Sequence, residues 1–129
     1  MTIPEDIGTL YERLGEETIR TLVDRFYGIM DTDPYAADIR RLHPADLSHS
    51  KEKLFMFLVG RFGGPPWYVH AHGHPRLRAR HRPFPIGDRE RDQWMFCMTK
   101  AVEENLPDAG HRRRLIDFFS VVADSMKNK

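Results

Sequence analysis

Between Pro75 and Pro83-Phe84-Pro85 the chain has room for only a clipped helix. Pro75 can occupy a first helical position, where its missing N–H costs nothing, and Pro83 with Pro85 must end what it starts. His81 falls at the end of that platform, with Leu77 one turn earlier on the same face. Arg76, Arg78, Arg80 and Arg82 surround it, and Phe84 and Ile86 follow.

Proline and glycine punctuate the rest of the chain in the same way, and the segments between them carry a helical period. Thr2-Ile3-Pro4-Glu5 reads as a capping box opening a short helix that Leu14-Gly15 closes. From Glu16 to Asp31, the residues Ile19, Leu22, Val23, Phe26, Tyr27 and Met30 share one face, and Thr32-Asp33-Pro34 ends the run. A brief turn is expected over 35–41 before His43-Pro44 breaks the chain. Ser48 to Phe62 reads as the next helix, with Ser50, Leu54, Phe57, Leu58 and Arg61 on one stripe, stopped by Gly63-Gly64-Pro65-Pro66. No period is visible over 67–73, which is expected to be irregular. Asp88 is expected to cap a helix carrying Trp94, Cys97, Met98, Ala101 and Asn105, ended by Pro107 and Gly110. A last helix should run from His111 to Met126. No stretch alternates over a strand's length, so the expected fold is all-α, with residues 1–129 forming a single domain.

Composition narrows the class. Hydrophobic residues make up 40% and charged residues 30%, as in ordinary globular proteins, and the net charge is +1. No overall field recommends nucleic acid or a membrane as partner. The basic stretch at 76–82 could track phosphates, but Asp88, Glu90 and Asp92 follow at once. The longest apolar run, Leu54 to Val59, is far too short to span a bilayer, and the N-terminus has no secretory pattern. One cysteine, Cys97, excludes an internal disulfide; a cytoplasmic protein is the expectation. Cys97 lies on an apolar face and reads as a core residue.

Three features carry candidate chemistry. His81 suits an axial ligand to an iron porphyrin, because a neutral imidazole nitrogen is a strong donor while the other nitrogen can be fixed by a hydrogen bond. Leu77 would press on the ring, Phe84 and Ile86 would close its edge, and a neighbouring arginine would pair with a propionate. Taken alone, however, a histidine in a basic loop reads first as a surface residue. Tyr27 and Trp94 each place a donor on an apolar helix face, where core tyrosine and tryptophan are the ordinary alternative. His70, His72 and His74 could share one side of an extended segment, but no cysteine or acidic ligand stands near to complete a zinc or copper site.

Together these residues resemble the truncated haemoglobins of group II along essentially the full chain. The resemblance rests on Arg25-Phe26-Tyr27, Arg41-Leu42-His43-Pro44, Met56-Phe57-Leu58, Gly63-Gly64-Pro65, Tyr68, the long run from Gly73 to Phe84, and Glu90-Arg91-Asp92-Gln93-Trp94. It implies a shortened globin fold, two helix pairs packed two-over-two around haem b. His81 matches the proximal iron ligand, Tyr27 the distal tyrosine and Trp94 the distal tryptophan. Ser50 stands where longer globins carry a distal histidine, with Leu54 one turn on. Arg80 matches a propionate-pairing position. Phe57, Tyr68, Leu77, Phe84, Ile86 and Met98 complete the expected haem contacts. His43 departs from the aromatic residue usual at that corner; it could donate to bound oxygen or accept from Tyr27.

The implied activity is binding of dioxygen and other diatomic ligands opposite His81, with Tyr27, Trp94 and His43 stabilising the guest. Slow oxygen release would suit redox chemistry, such as nitric oxide dioxygenation or peroxide turnover, with a reductase as partner. A non-catalytic oxygen-binding or sensing module is the alternative, and a haem-free helical binding domain a third. A monomer or homodimer is expected.

Overall fold

The computed structural model describes residues 5–129, and every regular element among them is helical. The capping box expected at Thr2-Ile3-Pro4-Glu5 lies outside the described residues but for Glu5, where a 3-10 turn, Glu5–Thr9, begins. The α-helices that follow are α1 Leu10–Thr32, α2 Ala37–Arg41, α3 Ser48–Arg61, α4 Trp67–His72, α5 Leu77–His81, α6 Asp88–Asn105 and α7 Ala109–Met126. Gly15 interrupts α1 with φ 82° and ψ 160°, at the break expected there; a side chain would oppose that positive φ.

The packing follows from the apolar faces. α1 lies against both α3 and α6, and α6 against α7. The pair α1/α3 therefore stacks on the pair α6/α7, the expected two-over-two arrangement. Phe26, Phe55, Phe62, Phe118 and Phe119 are fully buried between them, each contributing about 1.5–3 kcal/mol relative to exposure. Phe62 and Phe118 meet edge to face at 5.8 Å, joining the two pairs.

α3 carries two stripes rather than one. Phe55, Leu58 and Val59 are sealed in the core, whereas Ser50, Leu54, Phe57 and Arg61 stay half-buried. Leu58 thus belongs to the core face and not to the stripe expected from its spacing. Leu54 and Phe57 are left as an apolar wall that no neighbouring helix fully covers.

Four boundaries differ from expectation, each for a local reason. Residues 67–72 form α4 instead of an irregular segment. Six residues show no readable period, and the helix is held by Pro66, whose carbonyl accepts from His70 N–H at 3.2 Å, and by Trp67 resting on Phe55 at 6.1 Å. Pro75 does not begin α5: Gly73 and Arg76 both take positive φ, and the helix starts at Leu77. Asp88 is the first residue of α6 rather than its cap. The Gly87 N–H is accepted by Glu90 Oε1 at 2.8 Å, while Asp88 meets Lys127 Nζ at 3.1 Å. α7 begins two residues before His111, because the Asp108 carboxylate accepts from His111 N–H at 2.9 Å; Gly110 lies within its first turn and does not end α6.

The Gly63-Gly64 stop is also a packing site. Gly63 has φ 97°, and a Cβ there would stand 2.0 Å from the Gly8 carbonyl oxygen. Beside it Tyr11 N–H donates to the Phe62 carbonyl at 2.8 Å, tying the start of α1 to the end of α3.

Among the described residues Gln93 is the one buried polar side chain, at 4% exposure. Its Oε1 accepts from Ile39 N–H at 2.9 Å and its Nε2 donates to Asp38 Oδ2 at 2.8 Å. That donated bond, with the charges of Arg41 and Arg89, holds the Asp38 carboxyl below its ordinary range. Gln93 thereby fastens α2 to α6. Gln93→Ala, which strands the Ile39 amide, is expected to cost about 1–3 kcal/mol in urea unfolding. Gln93→Glu keeps the acceptor but sets two carboxylates together, so its deficit should grow as pH rises above the carboxylate range.

Candidate functional site

His81 closes α5, half-buried, with its Nδ1 2.6 Å from the Leu77 carbonyl oxygen. A carbonyl oxygen only accepts, so Nδ1 carries the proton and Nε2 of the neutral ring keeps a lone pair. The i, i+4 spacing that placed Leu77 beneath the ring thus also fixes the tautomer of His81. Ile86 is buried at 7% exposure, while Phe84 stands 42% exposed.

Tyr27 lies on α1 and Trp94 on α6. Phe26 lies edge-on to both, with ring centroids 4.8 Å from Tyr27 and 5.0 Å from Trp94. Phe119 backs Trp94 at 5.7 Å. Neither the Tyr27 hydroxyl nor the Trp94 indole N–H bonds to any described residue, yet no fully buried side-chain polar atom among those residues lacks a partner. Both donors must therefore reach open space. Burial pushes the Tyr27 pKa above its ordinary 10.0, so the phenol keeps its proton and remains a donor.

His43 stands at the corner after α2, 5.8 Å from Tyr27 between ring centroids. Its Nδ1 lies 2.9 Å from the Ile39 carbonyl, so this imidazole also keeps its lone pair at Nε2. While neutral, His43 can accept from Tyr27 but has no second N–H to offer a guest. Burial lowers its pKa below 6.5; the bond to Ile39 opposes this, and the charges of Arg40 and His81 add to it. Gln93 holds the Ile39 amide and Ile39 holds His43, so Gln93 positions this corner from the adjacent helix.

Leu54 and Phe57 form the apolar wall on α3. Phe57 meets Tyr68 edge to face at 6.2 Å; Tyr68 is buried and meets the His72 ring at a tilt, 5.0 Å between centroids. The Arg80 guanidinium sits 5.9 Å from the Tyr68 ring centroid and donates to the carbonyls of His72 and His74 at 3.0 and 3.3 Å. Met98 is sealed in the core one turn beyond Trp94. Cys97 is fully buried, as expected, with its thiol pushed up to about 11 by that burial. His70 and His72 lie on α4 and His74 beyond it; among the described residues no three His, Cys, Asp or Glu side chains are grouped to hold a metal ion.

Two positioning residues were not foreseen. Gln93 appeared only within a motif, and Asn128, which meets the loop after His81, had no sequence signal because only tertiary contact brings it there. The donor set fits an iron porphyrin: an imidazole with a bare Nε2, two unpartnered donors, an uncovered apolar wall and a guanidinium at one edge.

Comparison with known proteins agrees. The model of the bacterial-like globin family matches residues 9–128. A group 2 truncated haemoglobin of Bacillus subtilis is 38% identical over 119 residues, covering 92% of this chain and 88% of that one. The solved group II two-on-two haemoglobin of Agrobacterium tumefaciens superposes with a TM-score of 0.91 at 47% identity, covering 93% of this chain and 94% of that one. The truncated oxygen-avid haemoglobin of Bacillus subtilis gives 0.84 at 38% identity, covering 92% and 98%. The chain belongs to the bacterial-like globin family as a group II truncated haemoglobin, a haem-based binder of oxygen.

Proposed function

We propose that this haemoglobin holds dioxygen tightly and passes it into redox chemistry, with His81 as the iron ligand through Nε2. The observation that carries this reading is the pair of donors, Tyr27 O–H and Trp94 Nε1–H, which have no partner among the described residues and are not sealed from open space. Haem, when bound, supplies the iron that takes up dioxygen and exchanges electrons. The chain's own residues do the rest. His81 is oriented by Leu77, and Tyr27 and Trp94 offer preset donors to a guest that gains negative charge. Neutral His43, with Nδ1 committed to Ile39, has no N–H for the guest, and its ring packs edge-on against Tyr27, leaving the phenol proton for the guest. The sole cysteine is buried Cys97, so a noncovalent b-type haem is the form proposed. A lone reduced cysteine also accords with a cytoplasmic setting.

Each donor bond is worth about 0.5–1.5 kcal/mol, and two together slow oxygen release roughly tenfold or more. The oxygen-avid character of the Bacillus subtilis relative is the behaviour expected of this pocket. A carrier must let go; a pocket that holds on suits turnover. Dioxygenation of nitric oxide to nitrate takes up one electron per cycle, so a reductase partner is part of the proposal. Residues 53–87 contain no Asp or Glu, and Arg76, Arg78 and Arg82 stand exposed without an ion pair among the described residues. That basic face suits an acidic electron donor.

Stopped-flow measurement should show oxygen leaving about two- to twelvefold faster in Tyr27→Phe and in Trp94→Phe; unchanged rates would refute the donor roles. Mixing the oxygen-loaded protein with nitric oxide should yield nitrate, and slow release without nitrate would favour the binding or sensing alternative. In His81→Ala the five-coordinate ferrous spectrum should disappear and return with added imidazole.

The depressed pKa of His43 has a consequence for the apoprotein. Between the folded pKa and 6.5 the unfolded chain binds more protons, so this contribution is whole above 6.5 and lost as pH falls through the folded pKa. Urea unfolding across that window should show stability declining with acid in the wild type and a shallower decline in His43→Gln.

A further inference from the structure

We propose that Asn128, in the segment beyond α7, is a positioning residue for His81. α5 has five residues, none of them buried, and no side chain caps its start. Arg76 enters it with φ 45° and ψ 51°, a left-handed conformation that L side chains adopt at a cost. A helix this short does not persist on its own hydrogen bonds. Its position is therefore set from outside, by bonds at both ends.

At the leading side Arg80 reaches back to the carbonyls of His72 and His74. At the trailing side Asn128 makes four bonds. Its Nδ2 donates to the His81 carbonyl at 3.3 Å and to the Phe84 carbonyl at 2.8 Å. Its Oδ1 accepts from Ile86 N–H at 2.9 Å, and its own N–H donates to the Ile86 carbonyl at 2.8 Å. The His81 carbonyl also accepts from Phe84 N–H at 3.0 Å, so Asn128 closes over the turn that leaves the histidine. This turn holds Pro83 and Pro85, neither of which has an N–H with which to brace itself. Lys127, bonded to Asp88 at 3.1 Å, anchors the same segment to the start of α6.

The side-chain amide is thus the link through which α7 fixes the height and tilt of the imidazole. The proposal rests on His81 being the iron ligand, but the clamp itself can be read without haem.

Asn128→Asp and Asn128→Ala separate the contacts. The aspartate keeps an acceptor for Ile86 N–H and loses both donated bonds; alanine loses all three side-chain bonds. In the apoprotein, hydrogen exchange at the Phe84 amide should quicken in both variants, and at the Ile86 amide in Asn128→Ala alone. In the haem-loaded ferrous protein the iron–histidine stretching band should shift and broaden in both. Haem loss to a scavenging apoglobin should be faster by roughly tenfold. Unchanged Phe84 exchange, or an unmoved band in a folded Asn128→Ala protein, would overturn the positioning role. Faster exchange spread evenly over the chain with the band unmoved would do the same, since it describes general stabilisation. If His81→Ala keeps the wild-type band, the ligand reading fails; if only the Asn128 variants leave the band unmoved, the positioning role fails and the ligand reading stands.

Discussion

The pocket depends on how α1 meets α6. Phe26 is the contact that matters most there, fully buried and edge-on to Tyr27 and Trp94 together. Aromatic edges prefer such angles to flat stacking, so one ring sets the direction of two others. Phe119 on α7 supports Trp94 from behind, which brings the second helix pair into the same arrangement. The core and the distal wall are therefore one construction. Two polar tips reach open space because the apolar bodies behind them are locked.

The proposed pocket residues are held by different physics. Tyr27 and Trp94 sit on long helices whose burial is worth many times the strength of a single hydrogen bond. His81 sits on α5, which buries none of its residues and relies on the bonds that Arg80 and Asn128 donate to carbonyls on either side of it. His43 and His81 nonetheless share one local device, a backbone carbonyl four residues earlier that takes the Nδ1 proton. At His81 this frees Nε2 for a metal. At His43 it leaves a neutral ring with no N–H to offer a guest, which removes one of the two roles its side chain could have played. The family resemblance could not make that choice, because it turns on the direction of a single N–H.

Much of the architecture was legible from spacing. The faces of α1, α6 and α7 are long enough for a helical period to emerge, and glycine at position 15 and the prolines at 34 and 44 mark real breaks. Short elements escaped for the opposite reason. α4 has too few residues to show a period and is stabilised by Trp67 against Phe55 and by the carbonyl of Pro66, contacts that a local window does not contain. The α3 stripe was misjudged at Leu58 because two apolar faces lie side by side on that helix and only packing separates them. Gly87 takes the capping place expected of Asp88, and Asp108 caps a helix whose start was expected only at His111, since a cap is chosen by backbone geometry as well as residue type.

By itself the sequence determined the all-helical class, the clipped platform under His81 and the identities of Tyr27 and Trp94. Those follow from proline chemistry, helical periodicity and a motif long enough to be specific. Tertiary structure alone decided that the Tyr27 and Trp94 donors lack partners among the described residues, that His43 commits its Nδ1 to Ile39, that Gln93 fastens its corner and that Asn128 closes over the turn after His81. Each of these is a hydrogen bond, made or left open, between elements that come together only when the chain folds. Its direction depends on positions resolved to a few tenths of an ångström, and residue order carries no such information.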